Sequence, residues 1–206
     1  MIVTDISELD KKRSKIYIDN EFAFVLYKGE LRDFGIRQGA DLTTEHYDEI
    51  INVLLPKRAT KRAMNLLQKK DYTEHKLREK LREGLYPEAS VDAAIEYVKS
   101  YKYLDDERYV RDYITYHMEL RSRNRIIQDL AGKGISKDLC LRIMDELYED
   151  ESNDVESEQI QKLLVKKHYD MDMDYKEKQK IMAFLLRRGY SMESIRRNMD
   201  AFDSVN

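Results

Sequence analysis

Few residues of this 206-residue chain have the types and spacing that chemistry requires. Asp105 and Asp106 form a compact carboxylate pair, which can bind a divalent cation when further acids stand at defined offsets. Glu107 is the only near acidic neighbour, whereas acidic residues are common where a helix begins, because they stabilise its positive end. The pair therefore predicts a helix N-terminus rather than a metal centre.

The other residues suited to catalysis or metal binding are scattered. The four histidines have no partner at metal-ligand spacing, and they are His46, His75, His117 and His168. The single cysteine, Cys140, forms neither a zinc cluster nor an intrachain disulfide. Gly132 and Gly134 lack the Lys-Ser/Thr of a phosphate loop, and no Gly-x-Ser-x-Gly motif occurs. We expect no catalytic residue, metal or cofactor, and hence no enzyme.

The elements that would position any site differ between the two ends of the chain. In the first part, β-branched and aromatic runs at 16–18 and 22–26 flank Asp19 and Asn20, whose short side chains tolerate positive φ. This pattern predicts a β-hairpin. Short helices follow, punctuated by glycines, and Pro56 is expected to stop the last of them.

From residue 57 onward, apolar residues recur at steps of three or four, which is typical of helices. Gly84, Gly134 and Gly189 lie 50 and 55 residues apart, each suits the left-handed position beyond a helix end, and an apolar ladder resumes after each. One such unit cannot bury its apolar face alone, so copies must stack. Helix N-caps are expected at Asp105, Ser122, Ser136 and Ser191.

The predicted fold class is therefore all-α, with three tandem three-helix repeats in an elongated, curved array after a small hairpin-and-helix region. We place that N-terminal region at 1–56 and the repeats at 57–104, 105–150 and 151–206. The acidic run at 149–151 is interpreted as a solvated linker.

The net charge of -3 conceals segregated charge. Segments 57–83, 121–137 and 176–197 have Lys/Arg excesses of six, four and five, and each includes the second helix of its repeat. Solubility alone accounts for one such segment, but recurrence in three copies makes a basic stripe for phosphates or an acidic protein an equal alternative. The stripe comprises Lys76, Arg78, Lys80, Arg121, Arg123, Arg125, Lys176, Lys178, Lys180, Arg187 and Arg188.

Tyrosines are concentrated near the first repeat junction, at Tyr97, Tyr101, Tyr103, Tyr109, Tyr113 and Tyr116. Such rings can stack on nucleic-acid bases, but their helical spacing favours packing between repeats.

The sequence resembles the RecX family of recombination regulators. The junction Tyr103, Leu104, Asp105, Asp106, Glu107, Arg108, Tyr109 is similar to the family's Gly-Tyr-Leu-Asp-Asp-x-Arg-Phe, with Lys102 where the family often has glycine. Residues 74–81 with Gly84 resemble its Glu-Leu-x-x-Lys-Leu helix. Arg125, Ile126, Leu130 and 133–135 match its second-repeat pattern, and 15–27 with 34–39 resemble the N-terminal region of longer Gram-positive members.

The resemblance implies a protein that binds the helical groove of RecA filaments on DNA. There it would inhibit ATP hydrolysis, strand exchange and SOS coprotease function without chemistry of its own. The stripe residues would face DNA, directly or within the filament, or the recombinase. An autonomous DNA-binding protein that competes with the recombinase is the alternative, and it predicts steeply salt-dependent DNA affinity without RecA. A nucleotide hydrolase is a third class, for which ligand and base geometry is missing.

No apolar run approaches the ~20 residues of a membrane span. The chain also has no signal-peptide-like stretch, and its single cysteine fits a reducing compartment. We expect a cytoplasmic monomer.

Overall fold

The computed structural model describes residues 1–148 and 155–205, with side chains described up to residue 203. It contains two compact units, Met1–Asp105 and Asp106–Asn206. The acidic run at 149–151, predicted to be a linker, and the predicted boundary at 150–151 lie outside the described residues. No helix in the described ranges is long and apolar enough to cross a membrane.

The first unit begins with a three-stranded antiparallel sheet of order β1-β2-β3: β1 (Val3–Glu8), β2 (Arg13–Ile18) and β3 (Glu21–Tyr27). The predicted hairpin is confirmed as β2 and β3, and its turn residues Asp19 and Asn20 have φ of 50° and 71°, as the favoured two-residue turn requires. The sequence prediction missed β1, because Val3 is its one fully buried side chain and the strand lacks a clear apolar alternation.

The short helices α1 (Lys28–Asp33) and α2 (Thr44–Glu49) follow, and α2 continues through a π-helical turn, Ile50–Leu54, into α3 (Leu55–Leu67). The prediction that Pro56 stops the helix is wrong. In a regular α-helix, proline lacks one hydrogen-bond donor and clashes with the carbonyl four residues back. Here the Leu55 N–H donates to the Ile50 carbonyl, five residues back, and this wider turn accommodates the proline.

Helices α3, α4 (Glu74–Arg82) and α5 (Glu88–Ser100) surround one apolar core, which includes Leu77 and Ile95. The second unit has two further cores. One lies among α6 (Asp106–His117), α7 (Arg123–Ala131) and α8 (Lys137–Tyr148), and the other among α9 (Val155–Lys166), α10 (Tyr175–Arg187) and α11 (Met192–Val205). The prediction of helical repeats preceded by a small β-structure is confirmed.

The glycine predictions hold at two of three helix ends. Gly134 and Gly189 have φ of 82° and 91°, whereas after α4 the left-handed residue is Leu85, at 59°. The assignment of that role to Gly84 is therefore wrong. A Cβ at Gly84 would lie 2.9 Å from the Tyr86 ring, so close packing explains this glycine.

The predicted N-caps at Ser122, Ser136 and Ser191 are confirmed. Each hydroxyl accepts a hydrogen bond from the N–H three residues ahead, over 3.2, 3.3 and 3.0 Å respectively. Asp105 immediately precedes α6, and its capping role stays a prediction.

Candidate functional site

The predicted basic residues of α4 all have carboxylate partners. Nζ of Lys76 lies 2.8 Å from Glu79, and Nζ of Lys80 lies 2.7 Å from Glu83. Both are short-range pairs on the exposed face of one helix, and such pairs contribute little stability. They do, however, place a carboxylate directly beside Lys76 and Lys80.

Arg78 binds carboxylates on two helices. Its Nε lies 2.9 Å from Glu74 on α4, and its Nη1 lies 2.6 Å from Asp92 on α5. The hydrogen bond to Asp92 is the largest cause that raises the pKa of Arg78, although burial opposes it. With 23% of its side chain exposed, Arg78 ties α4 to α5 and has little freedom to bind a partner.

The start of α7 is less well neutralised. Arg121 and Arg125 share Asp129, with N–O distances of 2.6 and 3.2 Å, and Arg121 also donates to the Tyr113 hydroxyl over 2.9 Å. The Arg123 guanidinium lies 4.1 Å from the centre of the Tyr148 ring. Three arginines near the positive end of a helix are electrostatically unfavourable, so their presence there is not explained by the stability of α7.

One acidic side chain offsets the positive charge at the N-terminus of α7. Oε1 of Glu156, on α9, accepts a hydrogen bond from the Arg123 N–H over 2.8 Å. A carboxylate at a helix N-terminus is favourable, and this one also links the second and third repeats.

On α10 the basic side chains have no carboxylate partner among the described residues. Within residues 1–148 and 155–205, no Asp or Glu oxygen lies within 4.0 Å of Lys176, Lys180, Arg187 or Arg188. All four are exposed. Nζ of Lys178 instead donates to the Met171 carbonyl over 2.6 Å. The third repeat therefore presents positive charge that no described side chain neutralises.

The start of α7 and the end of α10 meet. The Ser122 hydroxyl donates to the Arg188 carbonyl over 2.8 Å, and Nδ2 of Asn124 donates to the Gly189 carbonyl over 3.0 Å. A Cβ built on Gly189 would lie 2.6 Å from the Ser122 Oγ, so the two backbones are as close as glycine permits. This contact brings together the residues that we call the basic junction: Arg121, Arg123, Arg125, Arg187 and Arg188.

A buried amide forms a second bridge between these repeats. Nε2 of Gln159 donates to the Met118 carbonyl over 2.6 Å, and its Oε1 accepts from the Tyr190 hydroxyl over 2.9 Å. Gln159 is 7% exposed, and burial raises the pKa of Tyr190 to about 12. Because buried polar groups are costly when unpaired, these bonds fix how the second and third repeats sit. Sequence periodicity gave no signal for either bridge.

The prediction that the tyrosines pack between repeats is wrong for several of them. Tyr97, Tyr101, Tyr103 and Tyr116 are 42%, 59%, 48% and 75% exposed. Tyr101 and Tyr103 lie beyond the end of α5, where helical periodicity no longer applies. Tyr97 and Tyr116 lie within α5 and α6 but on exposed faces of those helices.

The residues at 103–109, which resemble the family motif, differ in their burial. Leu104 is buried in the core of the first repeat, and Tyr109 packs against the core of the second. Tyr103 and Arg108 are exposed, whereas Asp105 and Asp106 are half-buried at the start of α6. Lys102 has a φ of 56°, the conformation for which glycine is suited.

Within the described ranges, no three His, Cys, Asp or Glu side chains are grouped so as to hold a metal ion. Cys140 is buried, and its burial raises the pKa of the thiol, which opposes thiolate chemistry. The fold and the basic junction together define a class: a helical-repeat protein in which arginines from two helices of the second unit are clustered.

Comparison with known proteins identifies the family. Residues 59–97 match the model of the first three-helix domain of RecX, and 154–199 match that of the third. The chain is 29% identical over 202 residues to regulatory protein RecX of Caldanaerobacter subterraneus subsp. tengcongensis, covering 97% of this chain and 99% of that one. It is 29% identical over 192 residues to regulatory protein RecX of Clostridium perfringens, covering 92% and 89%. The two domain models and the relatives matched over nearly the whole chain all support the RecX family of regulatory proteins.

Solved structures agree in fold. A crystal structure of regulatory protein RecX matches with a TM-score of 0.65 and 22% identity, covering 97% of this chain and 98% of that one. The crystal structure of RecX from Lactobacillus salivarius matches with a TM-score of 0.63 and 21% identity, covering 71% and 96%.

Proposed function

We propose that this protein binds RecA recombinase filaments on DNA, in the filament groove, and inhibits ATP hydrolysis, strand exchange and SOS coprotease function. Membership of a family of regulators supports a regulatory role. The observation that carries the proposal is the basic junction, where five arginines adjoin. Among the described residues, two carboxylates lie within 4.0 Å of their guanidinium groups: Asp129, which Arg121 and Arg125 share, and Asp145, which is 4.0 Å from Arg123. Such a surface suits a polyanionic target.

The eleven basic residues predicted from the sequence divide into two groups in this proposal. Those of α7 and α10 form the primary contact, since they have few or no internal carboxylate partners. Those of α4 are paired with carboxylates inside the first unit, so we assign them a secondary contribution. We also propose the repeat boundaries at 57–104, 105–150 and 151–206. Limited proteolysis tests the last two boundaries, whereas no cleavage is expected at 56–57, because the helix is continuous there.

Inhibition of recombinase ATP hydrolysis tests the function. Pre-formed RecA filaments on single-stranded DNA are titrated with the wild-type chain and with an Arg125→Glu/Arg187→Glu/Arg188→Glu variant at physiological salt. The wild type is expected to inhibit, and the variant to require a concentration at least tenfold higher, because charge reversal replaces attraction by repulsion. Full inhibition by the variant, with an unchanged far-ultraviolet circular dichroism spectrum, would refute the role of the junction.

The basic junction also favours a second candidate, an autonomous DNA-binding protein that competes with the recombinase for DNA. Competition predicts that excess free DNA relieves the inhibition, and that DNA affinity without RecA is tight and steeply dependent on salt. Binding to the filament predicts inhibition that persists under excess DNA, so one titration separates the two candidates.

A further inference from the structure

The unpaired cations of α10 form a row along one face of the helix. At 100° per residue, Lys180 and Arg187 lie within about 40° of the direction of Lys176. The eleven residues from 176 to 187 rise about 16 Å along the helix axis. Ala183 lies on the same face and is small enough for a partner to approach closely. We call Lys176, Lys180 and Arg187 the α10 row.

The row ends at the basic junction, so its charge continues into that of Arg188 and of the α7 arginines. The continuation is rigid, because the Ser122 hydroxyl binds the Arg188 carbonyl and Gly189 leaves no space between the backbones. A line of like charges held at fixed spacing fits a partner whose own charge is continuous. Duplex DNA has one negative charge per about 1.7 Å of axis, whereas charges on protein surfaces are of mixed sign.

We propose that the α10 row contacts the phosphate backbone of a nucleic acid directly, and that the cations of α4 do not. This inference rests on the proposed function and specifies which part of the filament, the DNA, is bound by the third repeat. The contrast with α4 follows from ion pairing. A phosphate that binds Lys76 or Lys80 must displace a carboxylate 2.8 or 2.7 Å away, whereas the α10 row has no described carboxylate to displace.

Salt-dependent binding of fluorescein-labelled oligothymidylate and of a labelled duplex to the full chain tests this inference. The test variant is Lys176→Gln/Lys180→Gln/Arg187→Gln. The matched control is Lys76→Gln/Lys80→Gln/Arg82→Gln, which removes the same three charges from α4. Far-ultraviolet circular dichroism and thermal unfolding confirm that both variants fold.

Each phosphate contact contributes about 0.7–0.9 to the slope of log K against log salt concentration. Removal of the row is therefore expected to reduce the slope by about 2–3 and to weaken binding at low salt by roughly tenfold or more, whereas the control changes the slope by less than about 1. Equal effects of the two variants would overturn the inference, since net charge alone would then explain binding. No effect of the row variant, or no DNA binding by the wild type at low salt, would overturn it as well.

Recombinase ATPase inhibition, measured on the same variants, separates this inference from the proposed function. A row variant that keeps DNA binding but loses inhibition overturns the inference, because the row then contacts recombinase, while the proposed function stands. A wild type that binds DNA through the row but does not inhibit filaments supports the inference and overturns the proposed function.

Discussion

Replacement of Gly189 by alanine is expected to destabilise the second unit by more than its backbone conformation alone accounts for. A φ of 91° costs a residue with a Cβ about 1–2 kcal/mol. The new Cβ would also lie 2.6 Å from the Ser122 Oγ and 3.2 Å from the Arg125 backbone nitrogen. If Ser122 moves, α7 loses its N-cap, worth about 1 kcal/mol, and the Arg188 carbonyl loses a hydrogen bond, worth about another 1 kcal/mol. The expected cost is about 3–4 kcal/mol.

Gly39→Ala is the matched control. Gly39 has a φ of 79°, and no heavy atom lies within 4 Å of the position of its Cβ, so the control isolates the conformational cost of about 1–2 kcal/mol. The assay is urea unfolding, followed by far-ultraviolet circular dichroism and analysed for the free energy of unfolding.

A double-mutant cycle tests the mechanism of the difference. Ser122→Ala removes the hydroxyl with which the new Cβ collides, so Gly189→Ala is expected to cost about 1–2 kcal/mol less in that background than in the wild type. The proposed collision between the Gly189→Ala Cβ and Ser122 would be refuted if Gly189→Ala destabilised the protein no more than Gly39→Ala. It would also be refuted if the effects of Gly189→Ala and Ser122→Ala were additive.

Two further predictions concern Lys102 and Tyr169. Lys102→Gly is expected to raise the free energy of unfolding by about 1 kcal/mol, because a φ of 56° strains any residue with a Cβ, and the absence of any gain over Lys102→Ala in the same urea assay would contradict this. Burial, together with a 3.0 Å hydrogen bond to Asp203, raises the pKa of Tyr169 to about 12. Since the neutral form is favoured in the folded state, this contribution to stability is complete below the unfolded pKa of about 10 and is lost as the pH rises through about 12. Urea unfolding between about pH 9 and 12 is expected to show a shallower loss of stability for Tyr169→Phe than for the wild type, and an equally steep loss would exclude this hydroxyl as the cause.

Sequence reasoning succeeded where a structural feature depends on neighbouring residues. The hairpin turn follows from Asp19 and Asn20 alone, because their side chains tolerate the left-handed conformation. The caps at Ser122, Ser136 and Ser191 follow equally from local chemistry.

It failed where a distant or irregular contact overrides a local preference. Pro56 normally ends a helix, but a π-helical turn accommodates it. Gly84 is the residue type that commonly ends a helix, but here Leu85 adopts the left-handed conformation. Glycine is required at position 84 because the Tyr86 ring leaves no space for a side chain.

The sequence by itself determined the helical repeats, the lack of close metal-ligand spacing and the segregation of basic charge, because periodicity and residue type are local properties. Only the tertiary structure decided which of those charges are free to bind. Arg78 forms a hydrogen bond with Asp92, fourteen residues away in sequence, and Ser122 forms one with the Arg188 carbonyl, sixty-six residues away. Ion pairs and close backbone contacts depend on distances in space. A count of charges along the chain therefore gives the cations of α4 and α10 similar weight, although the fold pairs Lys76, Arg78 and Lys80 with carboxylates and gives the α10 row no described carboxylate partner.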